Sequence, residues 1–335
     1  MARQWILRRG SKSSGFRYVR ESGAPVRDAR TLDRIDGLVI PPAWRDVHIA
    51  ADARSAIQAW GVDARGRRQY RYHERAVERG ALRKFHRMRQ MARDLPRIRR
   101  ALHLDARRAG FDREKVAALV LLLIIDGFFR VGGERYVREN RTFGITTLRK
   151  SHVRVDADCI EFDYRGKGRI RQRQVVVDGR LARAVRNLVR TPGARLFRHR
   201  DGTGWHDLTA RDVNEYLRLK LGVPYTAKDF RTWGGTLRLA TVLADIGPGS
   251  SQTEAKRNVT LGVRLVAAEL GNTPAICRAS YVHPIVIARY LDDGVTIGLA
   301  RSRGRGRLGY APEERALIAF LERFFPDRRR RARDS

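Results

Sequence analysis

The stretch VAALVLLLIIDGFF, Val116 to Phe129, carries ten apolar residues in unbroken succession before Asp126. A helix that is apolar on every side has no face for water, so it must lie inside a protein or a bilayer. Ten residues rise only about 15 Å as a helix, roughly half of a bilayer's hydrocarbon core, which excludes a membrane span. The run therefore predicts a buried helix. With 335 residues the chain has room for two domains, each with its own core.

The remaining pattern changes character near residue 80. Before it, GFRYVRESG and RDVHIA read as short strands, and IPPAW as a rigid corner. SAIQAWGVDARGRRQYRYH reads as two strands around an Asp-Ala-Arg-Gly turn. From about Val77 the period becomes helical in ERGALRKFHRMRQMARDL, a basic amphipathic stretch that Pro96 is expected to interrupt. After the apolar helix comes one β insertion, with strands around Val153, Ile160 to Tyr164 and Ile170 to Val177, and Lys167 on a Gly-Lys-Gly hairpin tip. Thr209 and Asp212 are spaced as a capping pair for a helix stopped by Gly222. Ser251-x-x-Glu254 opens a helix that ends at Gly271, and Thr273-Pro274 starts the next. That helix carries Tyr281 and is broken or restarted at Pro284; a Gly/Arg linker, an amphipathic helix and a basic end follow. The expected class is α+β and two-lobed: a small β-rich N-terminal domain over 1–80, then a larger, mostly α-helical domain over 81–335 with a small β-sheet and a basic tail.

Charge narrows the partners. Lys and Arg number 70 against 36 acidic residues, a formal net charge of +34 spread along the whole chain. Such an excess repels itself unless a polyanion lies against it, and nucleic acid is the leading candidate. An anionic membrane is the weaker one, because no basic amphipathic segment dominates. Two cysteines, Cys159 and Cys277, give no disulfide framework and suit a reducing compartment. MARQWILRRGSKSSG lacks the apolar core and cleavage site of a secretory leader, so the expected location is the cytoplasm, at the nucleoid. The chain contains no CxxC, HExxH or Walker pattern, so neither a metal nor a nucleotide is demanded.

Breaking and rejoining a DNA strand without a cofactor needs three things. A side-chain nucleophile must store the phosphodiester energy, fixed cations must balance charge on the non-bridging oxygens, and a proton must reach the leaving oxygen. Arg130 closes the apolar helix in DGFFRVGGERY, where an arginine facing helix carbonyls is an equally good reading. Lys167 could be an ordinary turn lysine, and Arg231, beside Trp233, a stacked surface arginine. Asn272 next to Gly271 is most simply a helix cap, and Tyr281 a core aromatic. Singly, these residues point nowhere.

As an ordered set they do. FFRVGGERYVRENRTFGITTLRKSHV, YRGKG, KDFRTWGGT and GNTPAICRASYVHP resemble the successive active-site blocks of type IB DNA topoisomerases, in the compact form found in poxviruses and many bacteria. VDARGRRQYRYH resembles that family's N-terminal DNA-contact hairpin, so the likeness runs from about Ile40 to Pro284. It implies that Tyr281 attacks the scissile phosphate to form a 3′-phosphotyrosyl bond, that Arg130 and Arg231 clamp the non-bridging oxygens, and that Lys167 protonates the 5′ oxygen. Many members carry histidine where this chain has Asn272; an amide can still donate a hydrogen bond but cannot become a cation.

The resemblance further implies a monomer that clamps duplex DNA, with no ATP, because the bond energy is conserved, and no metal, because the cations are side chains. In GRRQYRY, Arg68, Tyr70 and Tyr72 share one face of a strand, and Arg67, Gln69 and Arg71 the other. The family likeness places Gln69, Tyr70 and Tyr72 at the major groove and Arg67 on phosphate, with Tyr136 also on the backbone. Tyrosine recombinases are the nearest enzymatic alternative. They typically place a histidine three residues before the second arginine, where this chain has Lys228, a further candidate DNA contact. A non-enzymatic nucleoid-binding protein is the alternative that charge alone would satisfy.

Overall fold

A computed structural model of the chain describes residues 4–299 and 309–325. It divides into two units, Met1–Lys84 and Phe85–Ser335. The first is built on an antiparallel sheet of β1 (Trp5–Ser11), β2 (Gly15–Arg20), β3 (Arg45–Ala50), β4 (Ile57–Val62) and β5 (Arg68–Tyr72), in the order β2-β1-β3-β4-β5. Between β2 and β3, α1 (Ala29–Gly37) is capped by Asp28, whose carboxylate accepts from the Thr31 amide. Ile6, Val26, Ile35, Val47, Ile49 and Ala59 form the core on one side of the sheet. Alternation sends Trp5, His48 and Trp60 to the other side, where His48 and Trp60 stack at 4.0 Å. Neither β1 nor α1 was expected from the sequence. In α1 the signal is short and polar, since Ile35 is its only buried residue.

A 32-residue helix, α2 (Glu74–Asp105), carries the chain across the unit boundary. It runs straight through Pro96, against the expected interruption. Proline removes one backbone donor at a cost of about 3 kcal/mol. Met88, Met91, Leu95, Ile98 and Leu102 are all buried along the same helix and offset that loss.

In the second unit α3 (Arg113–Gly127) is the apolar helix, and every residue from Val116 to Ile124 is buried. Then come α4 (Glu134–Asn140) and the antiparallel sheet β6 (Val153–Asp156), β7 (Cys159–Arg165), β8 (Arg171–Val177). They are followed by α5 (Gly179–Val189) and a small hairpin of β9 (Arg198–Asp201) and β10 (Gly204–Asp207), so the β insertion is not single as expected. α6 (Ala210–Glu215) has the anticipated Thr209–Asp212 capping box. The unit continues with α7 (Ala227–Ile246), α8 (Gln252–Glu269), α9 (Pro274–Tyr281), α10 (Pro284–Asp293) and α11 (Pro312–Phe324). Ser251 caps α8 as read, but the Glu254 carboxylate reaches back to Ser250 rather than to Ser251. The Gly/Arg linker and the Arg-rich end lie largely outside the described residues. No described helix is long and apolar enough to cross a membrane.

Candidate active site

Arg130 owes its place to the way α3 ends. Phe128 turns the chain into the left-handed region (φ 54°), which costs a non-glycine residue about 1 kcal/mol or more. Packing offsets the strain. The Phe128 ring lies so close to Gly234 of α7 that a Cβ there would sit 2.0 Å from it. Phe129, fully buried, meets Phe162 edge-on at 4.8 Å. With both rings fixed, the Arg130 carbonyl accepts the Ile145 amide at 2.7 Å, and its guanidinium points at the far end of α8.

That end is the organising corner of the site. Gly271 is left-handed (φ 59°), and Asn272 closes the turn by donating its amide to the Ala267 carbonyl at 2.8 Å. Arg130 donates to the Gly271 carbonyl at 3.0 and 3.2 Å and to Asn272 Oδ1. Arg231 of α7 donates to the Leu270 carbonyl at 2.9 Å and to the Phe128 carbonyl. Two like charges can share this corner because the carbonyl end of a helix carries partial negative charge. Arg231 is only 3% exposed, so the surface-arginine reading does not hold. Burial pulls its pKa down to about 10; Tyr281 works in the opposite direction, and Arg130 adds to the lowering. It is a cation at neutral pH. Among the described residues, Arg231 Nε and Asn272 Nδ2 are buried donors without hydrogen-bond partners.

Tyr281 is the last residue of α9, half-buried, with its ring 5.2 Å from the Arg231 guanidinium carbon. Val282 is extended, so the helix stops on the tyrosine, and His283 with Pro284 starts α10. Thr236 Oγ1 donates to the Tyr281 carbonyl (3.2 Å) and accepts the His283 amide (3.1 Å), fixing the break to α7. The neighbouring Gly235 lets the chains meet: a Cβ there would lie 2.8 Å from the Tyr281 carbonyl oxygen. Thus Gly234 admits Phe128 and Gly235 admits Tyr281, which assigns both glycines of WGGT. Cys277, one turn earlier on α9, is no rival nucleophile, since burial pushes its thiol up to about 11.

Lys167 stands apart from these four residues. It is exposed on a one-turn 3₁₀ segment, Lys167–Arg169, at the tip of the β7–β8 hairpin, and makes no hydrogen bond among the described residues. The root of its hairpin is nevertheless tied to the Arg130 region. Phe143 donates to the Arg165 carbonyl at 2.8 Å, two residues before Ile145 meets Arg130. A mobile ammonium on a fixed root can reach a proton acceptor that a buried lysine could not.

Two family descriptions match this chain: "Eukaryotic DNA topoisomerase I, catalytic core" over residues 76–293, and "Bacterial DNA topoisomerase IB, N-terminal domain" over 15–63. The chain belongs to the type IB DNA topoisomerases. It is 32% identical to a DNA topoisomerase 1B of Acanthamoeba polyphaga mimivirus over 270 residues, covering 78% of this chain and 80% of that one. It is 25% identical to the DNA topoisomerase 1B of Vaccinia virus (strain Copenhagen) over 236 residues, 69% and 72% of the two chains. The topoisomerase is thus an enzyme of the isomerase class, and DNA is its substrate.

The other sequence candidates are placed as follows. On β5 of the first unit, Tyr70 and Tyr72 are 40% and 53% exposed and stack at 5.9 Å. Arg68 shares their face, as alternation expects, and covers Trp60 at 4.2 Å. Gln69 and Arg67 both donate to Asp63, at 2.8 and 2.9 Å. The Arg67 guanidinium in turn holds the Asp63 carboxyl well below the usual carboxylate range. The two residues brace the turn. Tyr136 is 58% exposed on α4, and Lys228 is exposed in the first turn of α7.

Proposed function

We propose that the topoisomerase relaxes supercoiled duplex DNA by transient cleavage of one strand through Tyr281. The tyrosyl oxygen bonds to the scissile phosphorus as the phenol passes its proton to solvent water, and the bond from phosphorus to the 5′ oxygen breaks. Arg130 and Arg231 take the charge that builds on the non-bridging oxygens, and the free Asn272 amide N–H adds a hydrogen bond. Lys167 gives a proton to the departing 5′ oxygen. After strand rotation, the 5′-hydroxyl attacks the 3′-phosphotyrosine and frees the enzyme. The bond energy is kept in the adduct, and the cations are side chains, so the scheme calls for neither ATP nor metal. One chain supplies all five groups, which supports action as a monomer. The charge of +34 supports chromosomal DNA as the substrate, and with it a place at the nucleoid.

The observation that carries this reading is the Tyr281 ring over Arg231, with Arg130 and Arg231 joined at the Leu270–Asn272 corner. Detergent quenching on duplex DNA tests it, in chelator and without nucleotide. A label at the 5′ end of the cleaved strand should migrate with the protein, and a label at its 3′ end should be released. The absence of any adduct would leave a nucleoid-binding protein, and site-specific exchange between two duplexes would make it a recombinase.

Asn272 has its own expected outcome. Asn272→His should stay active, because imidazole keeps a donor there. Asn272→Ala should cleave roughly 10–100-fold more slowly in single turnover, the scale of one hydrogen bond to a charged group. Equal rates for Asn272→Ala and the parent would remove the residue from the site.

A further inference from the structure

Gly166, just before Lys167, and Gly271, just before Asn272, lie 105 positions apart, yet both are shaped by one side chain. Gln172 of β8 is 8% exposed. A Cβ at Gly166 would stand 2.7 Å from its Cγ, and one at Gly271 would stand 1.9 Å from its Oε1 and 2.6 Å from its Nε2. Gly271 is the residue whose carbonyl takes both guanidinium nitrogens of Arg130. Among the described residues, the Gln172 side-chain amide donates to the adjacent Arg171 carbonyl alone, at 3.3 Å. A buried primary amide is a costly choice where a hydrophobic side chain would fill the same space. The stem packs on the root of the Lys167 hairpin while the head packs on the Arg130–Asn272 corner.

We propose that Gln172 is a positioning residue that holds the Lys167 hairpin at a set distance from the Arg130–Asn272 corner. It touches neither the phosphate nor the nucleophile. Its effect falls chiefly on delivery of the proton, and the inference rests on the role proposed above for Lys167.

The test exploits a leaving group that needs no proton. Replacing the bridging 5′ oxygen of a duplex substrate by sulfur yields a thiolate, and thiols ionise near pH 8.5, far below alcohols. On the ordinary substrate Gln172→Ala should cleave about 10–100-fold more slowly, the scale of loss from an ångström-sized misplacement. On the sulfur substrate it should return to within about threefold of the parent enzyme, with DNA binding unchanged. Gln172→Asn, which withdraws the amide by one methylene and keeps its polarity, should show the same split in a milder form and carries the test if the alanine variant does not fold. Equal slowing on both substrates, or no slowing on either, would overturn the proposal. Lys167→Ala, measured in parallel, separates the two ideas: if sulfur does not restore it, the general-acid assignment fails, whatever Gln172 does.

Discussion

Tyr281→Phe is expected to bind duplex DNA as tightly as the parent enzyme and to form no covalent adduct at all. The substitution removes one oxygen. The ring that lies 5.2 Å from the Arg231 guanidinium remains, and so do both Thr236 bonds, because they engage the backbone at residues 281 and 283. The fold therefore has no reason to change. Chemistry loses its nucleophile, and relaxation of a supercoiled plasmid should fall by at least about 10⁴-fold, the scale on which loss of a covalent nucleophile is felt. Detergent trapping and plasmid relaxation read the two halves of the expectation. A Tyr281→Phe enzyme that still relaxes DNA would place the nucleophile elsewhere.

The largest expected effect on stability lies at Glu314, beyond residue 293 where the catalytic-core match ends. Glu314 of α11 is 2% exposed. Its two oxygens accept from both terminal nitrogens of Arg99 at 2.7 Å, and from the Trp233 ring N–H at 3.4 Å and the Ala311 amide at 2.9 Å. Arg99 belongs to α2 and Trp233 to α7, two residues from Arg231, so one carboxylate ties three helices together. Glu314→Ala leaves a largely buried guanidinium without its counter-charge and should destabilise the enzyme by about 3 kcal/mol. That corresponds to a melting temperature lower by roughly 6–12 °C for a unit of this size. Glu314→Gln keeps an acceptor and should lose roughly half as much. Calorimetry on the full chain checks both values. Unchanged melting of Glu314→Ala would show that the network contributes nothing net.

Much of the secondary structure was legible because its causes are local. The apolar α3 declared itself by having no polar face, and Thr209, Ser251 and Thr273-Pro274 marked helix starts as side chains that satisfy free amides. Elements whose causes are distant were missed or misjudged. Pro96 reads as a breaker, yet the buried methionines and leucines of α2 outweigh it. Strand alternation correctly placed Tyr70 and Tyr72 on one face, but it could not show that Asp63 engages Gln69. The resemblance supplied the order of the reactive residues, whereas Thr236, Gln172 and Phe128 drew no notice because none is reactive.

By itself, the sequence determined the chain's periodicities, its stops and starts, and an inventory of groups able to attack, protonate and stabilise a phosphate. It also set a charge that calls for a polyanion. Tertiary structure decided which of the 70 basic side chains meet at the Leu270–Asn272 corner beside Tyr281. Arg231 can be buried only because carbonyls 103 residues before it and 39 after it converge on its guanidinium. Caps and periods act over a few residues of backbone. A buried cation is set by dipoles and packing that the chain brings together from far apart, and a local pattern does not encode that meeting.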